Sequence, residues 1–135
     1  ALARGNAARH EVFQACTFLH GDLAQPLARF APFAALVANL PYVPTGELPV
    51  RPDPAAFEPA LALDGGADGL ALYRRLLPAL PGVLAPGAPA FFEAAPGTIA
   101  PLAALVAATF PGASVAVERD YGGRERFLSF VPAPT

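Results

Sequence analysis

The sequence predicts an α/β domain, built as three layers around a mostly parallel sheet that ends in an antiparallel strand. Apolar runs bounded by turn residues alternate along the chain with segments of helical periodicity, as in βα units. The last two runs, residues 114–118 and 127–131, are joined by a short segment with two glycines, which suits an antiparallel hairpin. The length of 135 residues corresponds to one domain with a single core.

The first third of the chain is expected to hold one helix and two strands. Residues 1–10 are compatible with a helix, and residues 17–19 with a short strand followed by a turn that carries Asp22. The next strand begins at Phe33 and stops at Asn39, and an apolar run of this kind is typical of a strand buried on both faces. Ligands of open α/β sheets bind beyond the carboxyl ends of such strands, so the segment after Asn39 is a candidate site.

A proline-rich loop is expected at residues 43–64. Prolines at positions 44, 49, 52, 54 and 59 exclude a regular helix or a central strand there. A loop of this length inside a compact domain is more often functional than merely connecting.

A helix, a strand and a second helix are expected after the loop. Asp68 is placed to cap a helix that extends to about Ala79. Large side chains share one face of this helix. They are Leu70, Tyr73, Leu76 and Leu77. Residues 88–95 then predict a strand, and residues 96–110 a helix.

The composition argues against several classes of protein. The chain is 54% hydrophobic and 15% charged, but no apolar run reaches the roughly 18 residues that a membrane span needs. No signal-peptide pattern opens the chain. We expect no membrane partner and a cytoplasmic location. The net charge of −2 gives no support to a strongly nucleic-acid-binding surface. The single Cys16 excludes an internal disulfide and is expected in the core.

Several residues with catalytic chemistry lack the pattern that the chemistry requires. His10 and His20 are far apart and have no ligand spacing, so no metal site is expected. Ser114 and Ser129 are not in the Gly-x-Ser-x-Gly turn of a hydrolase. Glu93 lies in an apolar strand, where an unpaired carboxylate is costly. A strand-end position facing water or an arginine explains Glu93 better than a role as catalytic base.

The turn at residues 39–42 has the groups that amide alkylation requires. An amide nitrogen is a poor nucleophile because its lone pair is delocalised, so a site that alkylates one must hold both N–H groups with acceptors. The side-chain oxygen of Asn39 and the carbonyl of Leu40 are two such acceptors, Pro41 stiffens the turn, and Tyr42 is placed to wall the pocket. The alternative is an asparagine-proline turn that simply closes a strand.

Four segments resemble, in order and spacing, the glutamine methyltransferases that modify peptide chain release factors. They are NLPYVP, FEPALALDGGADGLALYRRLL, FFEAAPG and VERDYGGRERFLSF. The first segment is similar to motifs of adenine and ribosomal RNA methyltransferases as well. The Asp-Gly-Gly-Ala-Asp-Gly-Leu segment at 64–70 and the hairpin at 119–126 are much more specific, and the resemblance covers nearly the whole chain.

The resemblance implies a class I methyltransferase fold of the Rossmann-like type, with S-adenosylmethionine as methyl donor. It also implies a protein partner, a release factor whose Gly-Gly-Gln loop provides the glutamine that is methylated, and no direct binding of nucleic acid. By motif, Asp22 and Leu23 would line the adenine pocket, and Asn39 would border the cofactor.

The resemblance further assigns the substrate-binding residues. The segment at 39–42 would hold the glutamine amide as the catalytic turn. Phe57, Glu58 and Pro59 would shape the substrate loop. Leu40 departs from the family, which has proline there; its carbonyl keeps the acceptor, and the turn loses only rigidity.

The family's glycine-rich cofactor loop and the acid that ends its second strand have no counterpart in the sequence. The chain also contains no methionine, so residue 1 is not a native start. Residues 1–135 are therefore expected to form the carboxyl-terminal portion of a catalytic domain, without its first two strands and without the family's amino-terminal helical domain. Two alternatives stay open: a nucleic-acid adenine amine methyltransferase, and a non-catalytic α/β remnant or interaction module.

Overall fold

The computed structural model describes residues 2–50, 53 and 57–133, and a mixed sheet forms its centre. The strands are β1 (Leu36–Ala38), β2 (Ala90–Glu93), β3 (Ser114–Arg119) and β4 (Glu125–Val131). Their order across the sheet is β1-β2-β4-β3. β1 and β2 are parallel, whereas β4 is antiparallel to both β2 and β3.

Helices connect and cover these strands. The α-helices are α1 (Leu2–Arg9), α2 (Ala60–Leu63), α3 (Ala71–Leu76) and α4 (Pro96–Thr109). Short 3-10 helices occur at Phe13–Ala15, Gln25–Phe30, Thr45–Glu47 and Leu77–Gly82. In the part of the chain that the structure describes, no helix is long and apolar enough to cross a membrane.

The core lies between one face of the sheet and the helices α3 and α4. Phe92 of β2 and Phe130 of β4 are buried there, with ring centres 5.6 Å apart. Tyr73 of α3 and Leu102 and Val106 of α4 belong to the same buried cluster. Burial of each large apolar side chain stabilises the fold by about 1.5–3 kcal/mol, so this layer accounts for most of the stability of the domain.

The described residues leave the opposite face of the sheet largely uncovered. The alternation of side chains along a strand places Phe91 and Phe127 on that face, and each is 40% exposed. Val37 of β1 is 80% exposed. The α/β class and the terminal antiparallel hairpin are confirmed. Among the described residues β1, β2 and β3 run in the same direction and β4 is the one antiparallel strand, as the sequence predicts, and α3 and α4 cover one face of the sheet.

The helices and strands after residue 68 agree closely with the sequence. The predicted face of Leu70, Tyr73, Leu76 and Leu77 is buried. The α-helix itself is shorter than expected and gives way to the 3-10 helix Leu77–Gly82, because the prolines at 78 and 81 lack the N–H that an α-helical turn needs. Asp68 accepts a hydrogen bond from the N–H of Leu70 just before α3 and also binds Arg74. The hydrogen bonds from Arg74 and from the N–H of Leu70 lower the pKa of Asp68 to about 2.

Three expectations for the first half of the chain are wrong. Residues 17–19 form no strand; Phe18 packs instead on the ring of Phe13 at 5.9 Å and under the guanidinium of Arg4 at 5.6 Å. Cys16 is exposed because the segment next to it does not enter the sheet. β1 is not buried on both faces, since it lies at the edge of the described sheet and Val37 faces solvent.

The proline-rich loop contains more structure than predicted. Its described part includes the single helical turn α2, where a brief extended piece is expected. A parallel bridge joins Val43 to Asp64 and closes the loop at its base. Residues 51, 52 and 54–56 of the loop lie outside the described residues.

Candidate active site

The turn at residues 39–42 follows β1 directly and lies at the carboxyl end of the parallel pair. Because β1 and β2 are parallel, the residues that follow each strand reach the same edge of the sheet. Asn39 is exposed at that edge, and Leu40, Pro41 and Tyr42 are half-buried. The predicted position of the turn at a strand end is confirmed, and its role stays a prediction.

The hydroxyl of Tyr42 is held by the neighbouring strand. It donates a hydrogen bond of 3.0 Å to Oε1 of Glu93, the last residue of β2. Arg126, near the start of β4, places its Nε 4.0 Å from the same oxygen and its guanidinium carbon 5.9 Å from the centre of the Tyr42 ring. Burial raises the pKa of Tyr42, and the hydrogen bond and charge of Glu93 raise it further, whereas the charge of Arg126 lowers it. Tyr42 is therefore a neutral donor at physiological pH.

Glu93 faces an arginine at the end of its strand, so the structural interpretation made from the sequence is confirmed. The main-chain oxygen of Glu93 also accepts a hydrogen bond from the hydroxyl of Tyr73, a core residue of α3. Burial raises the pKa of Tyr73 well above its usual value, so that hydroxyl stays a donor. Both the side chain and the main chain of Glu93 are thus fixed.

Two glycines make room for the main chain of Tyr42. A Cβ atom on Gly69, whose φ is +76°, would lie 2.4 Å from the carbonyl oxygen of Tyr42, and one on Gly65 would lie 2.8 Å from its Cα. Main-chain hydrogen bonds fix this approach. The N–H of Val43 donates to the carbonyl of Leu63 at 2.9 Å, and the N–H of Gly65 donates to the carbonyl of Val43 at 2.8 Å.

The carboxylate of Asp64 stabilises the same contact with two hydrogen bonds. One oxygen, Oδ1, accepts from the N–H of Gly66 at 2.9 Å and from the hydroxyl of Thr45 at 2.8 Å. These hydrogen bonds, that of Gly66 above all, hold the pKa of Asp64 below its usual value. The glycine segment 65–69 is therefore a rigid support for the turn.

A cavity of about 440 Å³ opens beside the turn. Its lining includes Leu23, Leu27, Leu36 and Leu40, and Asn39 is the polar side chain among its walls. The cavity thus joins Leu23, which the family resemblance assigns to the cofactor pocket, to the first two residues of the turn.

Asp22 precedes Leu23 in the chain but is not among the residues that line this cavity. Its carboxylate forms an ion pair with Arg75 of α3, and both side chains are about half-exposed. The residue after it, Leu23, has a φ of +46°, which turns the chain sharply toward the cavity.

Curated proteins provide close relatives of this chain. A release factor glutamine methyltransferase of Moorella thermoacetica is 41% identical over 130 residues, which are 96% of this chain and 46% of that protein. A protein of the same name from Synechocystis is 34% identical over 96% of this chain and 44% of its own length. That of Geobacter sulfurreducens is 44% identical over 64% of this chain and 30% of its own length.

A solved structure supports the same relationship. It is a release factor-specific protein-(glutamine-N5) methyltransferase from Alicyclobacillus acidocaldarius, and it matches with a TM-score of 0.51 at 27% identity. The match covers 79% of this chain and 53% of that one. The chain is similar to release factor glutamine methyltransferases along nearly its whole length. It spans less than half the length of the curated relatives named above. No model in a scan of protein families matches the chain.

The structure brings together some of the site residues that the family resemblance assigns, and not others. Leu23 and Asn39 share the cavity. Phe57, Glu58 and Pro59 are exposed and are not among the residues that line it. These three adjoin residues 54–56, which lie outside the described part of the loop.

The sequence does not predict which residues hold the side chain of Tyr42 in place. Glu93 and Arg126 lie 51 and 84 residues away along the chain, and only the pairing of β2 with β1 and β4 brings them to the turn. The sequence alone does not distinguish an ordinary turn from a close main-chain approach in the glycine segment 65–69. Its family motif, with three glycines in five residues from 65 to 69, was the one signal that a close main-chain approach is required there.

Proposed function

We propose that the protein of which this chain is a part transfers a methyl group from S-adenosylmethionine to a glutamine side-chain amide in the Gly-Gly-Gln loop of a peptide chain release factor. The proposal rests on the turn at residues 39–42. This turn follows the parallel strand pair at its carboxyl end and lies beside an apolar cavity. A relative that is named release factor glutamine methyltransferase matches this chain over 96% of its length.

The residues present fit the adenine end of the cofactor. The apolar wall from Leu23 to Leu40 suits a flat aromatic ring, and Asn39 offers a polar group at its margin. When bound, the cofactor supplies an electrophilic methyl group on a sulfonium. Asp22 would contribute through its ion pair with Arg75, which fixes the segment that carries Leu23.

The turn orients the acceptor amide. Asn39 Oδ1 and the carbonyl of Leu40 would accept the two N–H groups of the glutamine, while Tyr42 forms the wall behind it. The reaction forms an N–C bond as the S–C bond breaks, and the electron pair of that bond stays on sulfur. One amide proton then leaves to water, so no side chain has to act as a general base.

We also propose that residues 1–135 supply the carboxyl-terminal portion of the catalytic domain, and that Phe57, Glu58 and Pro59 contact the release factor. The three side chains are exposed on the loop that leads into the glycine segment, where an extended substrate has access to them. Because the proposed substrate is a translation factor, the protein would act in the cytoplasm.

The test is a methyl-transfer assay with the full-length protein and labelled S-adenosylmethionine. We expect label on a release factor and none on its Gln→Ala loop variant. Equal labelling of both would rule out the glutamine as acceptor. An adenine-containing RNA is the second acceptor in the assay, since Asn-Leu-Pro-Tyr is similar to the motif of RNA adenine methyltransferases; label on the RNA alone would favour that function.

A further inference from the structure

The side chain of Tyr42 is held from more directions than a pocket wall requires. Its main chain rests against Gly65 and Gly69, and its hydroxyl is bound by Glu93. The guanidinium of Arg126 lies over its ring. A tyrosine has two side-chain torsions, so contacts at both of its ends leave one orientation of the ring.

The position of Glu93 is unfavourable for the stability of the strand by itself. It follows two phenylalanines in β2, and its carboxylate is half-buried beside the exposed face of the sheet. A carboxylate at such a place loses part of its hydration energy. A single arginine at 4.0 Å compensates only part of that loss. A neutral or apolar residue would serve the sheet as well, so the carboxylate points to a function.

We propose that Glu93 is a positioning residue, which holds the ring of Tyr42 in the orientation that closes the acceptor side of the turn at 39–42. The inference rests on the proposed function for its consequence in methyl transfer, but the Glu93–Tyr42 contact is tested separately from it below. Glu93 acts through Tyr42 and does not touch the reacting atoms. Arg126 completes the arrangement by orienting the carboxylate from the other side.

The protonation state of Tyr42 agrees with this arrangement. The groups that face its hydroxyl and ring are Glu93 and Arg126, and Tyr73 interacts with it electrostatically. Burial and Glu93 together raise the pKa of Tyr42, so that the phenol keeps its proton and the hydrogen bond persists across the physiological range.

Kinetics of full-length variants test the role in transfer. Glu93→Ala and Tyr42→Phe should each lower kcat/KM for the release factor about tenfold, the equivalent of one lost hydrogen bond to a charged group. The double variant should be no worse than either one, and Glu93→Gln, which keeps an acceptor oxygen, should recover most of the activity. Additive losses, or a Glu93→Gln variant as poor as Glu93→Ala, would overturn the proposal.

A glutamate in the same row of the sheet provides a matched control. Glu118 pairs with Phe127, and Phe127 pairs with Glu93 on its other side. Glu118 therefore lies two strands away from Glu93. Glu118→Gln should leave kcat/KM unchanged. An equal loss in this variant would show that any change of charge on the sheet has the effect, and that Glu93 has no special role.

A spectroscopic readout separates this inference from the proposed function. With 3-fluorotyrosine at position 42 of the full-length protein, fluorine NMR should show one sharp line, and the fluorophenol should titrate at a lower pH in Glu93→Gln than in the parent. If no release factor is methylated but these changes occur, the Glu93–Tyr42 contact stands and the proposed function fails. An unchanged line and an unchanged titration in Glu93→Gln would refute the contact itself.

Discussion

Asn39 and Leu40 provide the proposed site with acceptors of different kinds. Asn39 contributes a side-chain oxygen from an exposed position at the edge of the sheet. Leu40 contributes a main-chain carbonyl, and its side chain is a wall of the neighbouring cavity. A substitution at position 39 therefore removes an acceptor, whereas one at position 40 changes only the cavity wall and the rigidity of the turn.

This difference predicts opposite outcomes for two neighbouring substitutions. Asn39→Ala should abolish methyl transfer by the full-length protein, a loss of about 100-fold or more in kcat, as for removal of one preorganised hydrogen-bond partner. Leu40→Pro should keep kcat within about threefold, because proline retains the carbonyl. Both are measured as initial rates at saturating cofactor and release factor. A severe loss in Leu40→Pro would refute the main-chain acceptor.

Single residues of the site differ in how far the sequence predicts them. The turn at Asn39 follows from local chemistry, since an apolar run ends there in turn-forming residues. The partners of Tyr42 depend on strand order and register, which have no local signature. Glu93 could be predicted to face an arginine, but nothing in the sequence selects Arg126 among the nine basic residues.

At the scale of elements, the glycine segment 65–69 determines where the turn can lie. The bridge between Val43 and Asp64 brings the two segments together, and the missing side chains of Gly65 and Gly69 allow the main chains to touch. The turn is therefore positioned by a loop as much as by the strand that precedes it.

Gly69→Ala should displace Tyr42 or destabilise the fold. The new Cβ would lie 2.4 Å from the carbonyl oxygen of Tyr42, at a φ of +76° that alanine rarely adopts. We expect a loss of about 2 kcal/mol in the free energy of unfolding, measured by urea titration. Gly97→Ala is the control, because nothing lies within 4 Å of its Cβ in α4. It should be neutral or stabilising by up to about 1 kcal/mol, and equal losses in both would contradict the close approach.

Elements with strong local signals match their predictions, and short ones do not. The helix α4 and the strands of the hairpin lie within a few residues of the expected ranges, since periodicity and turn residues agree there. Residues 17–19 show the limit of this approach. A three-residue apolar run has strand propensity, but whether it enters a sheet depends on a neighbouring edge, and here its phenylalanine packs locally.

At the scale of the whole molecule, the described part of the chain leaves an edge and a face of the sheet open. β1 lies at its edge, and one face exposes Val37, Phe91 and Phe127. The α/β class was predictable from alternation along the chain, because helices and strands have different periods. The uncovered face was not, since local sequence does not show how many layers the helices form.

The open edge predicts weak cofactor binding by the 135-residue chain expressed by itself. Its sequence contains no Gly-x-Gly-x-Gly loop, and Val37, a wall of the cavity beside Asn39, is 80% exposed. A cavity open to water along an exposed strand excludes little solvent from a ligand, so the apolar wall contributes little affinity. Calorimetric titration with S-adenosylmethionine should therefore give no measurable binding or a millimolar Kd. A millimolar Kd corresponds to a binding free energy of about −4 kcal/mol. The full-length protein is the control and should bind far more tightly. A micromolar Kd for the isolated chain would show that the described cavity holds the cofactor unaided.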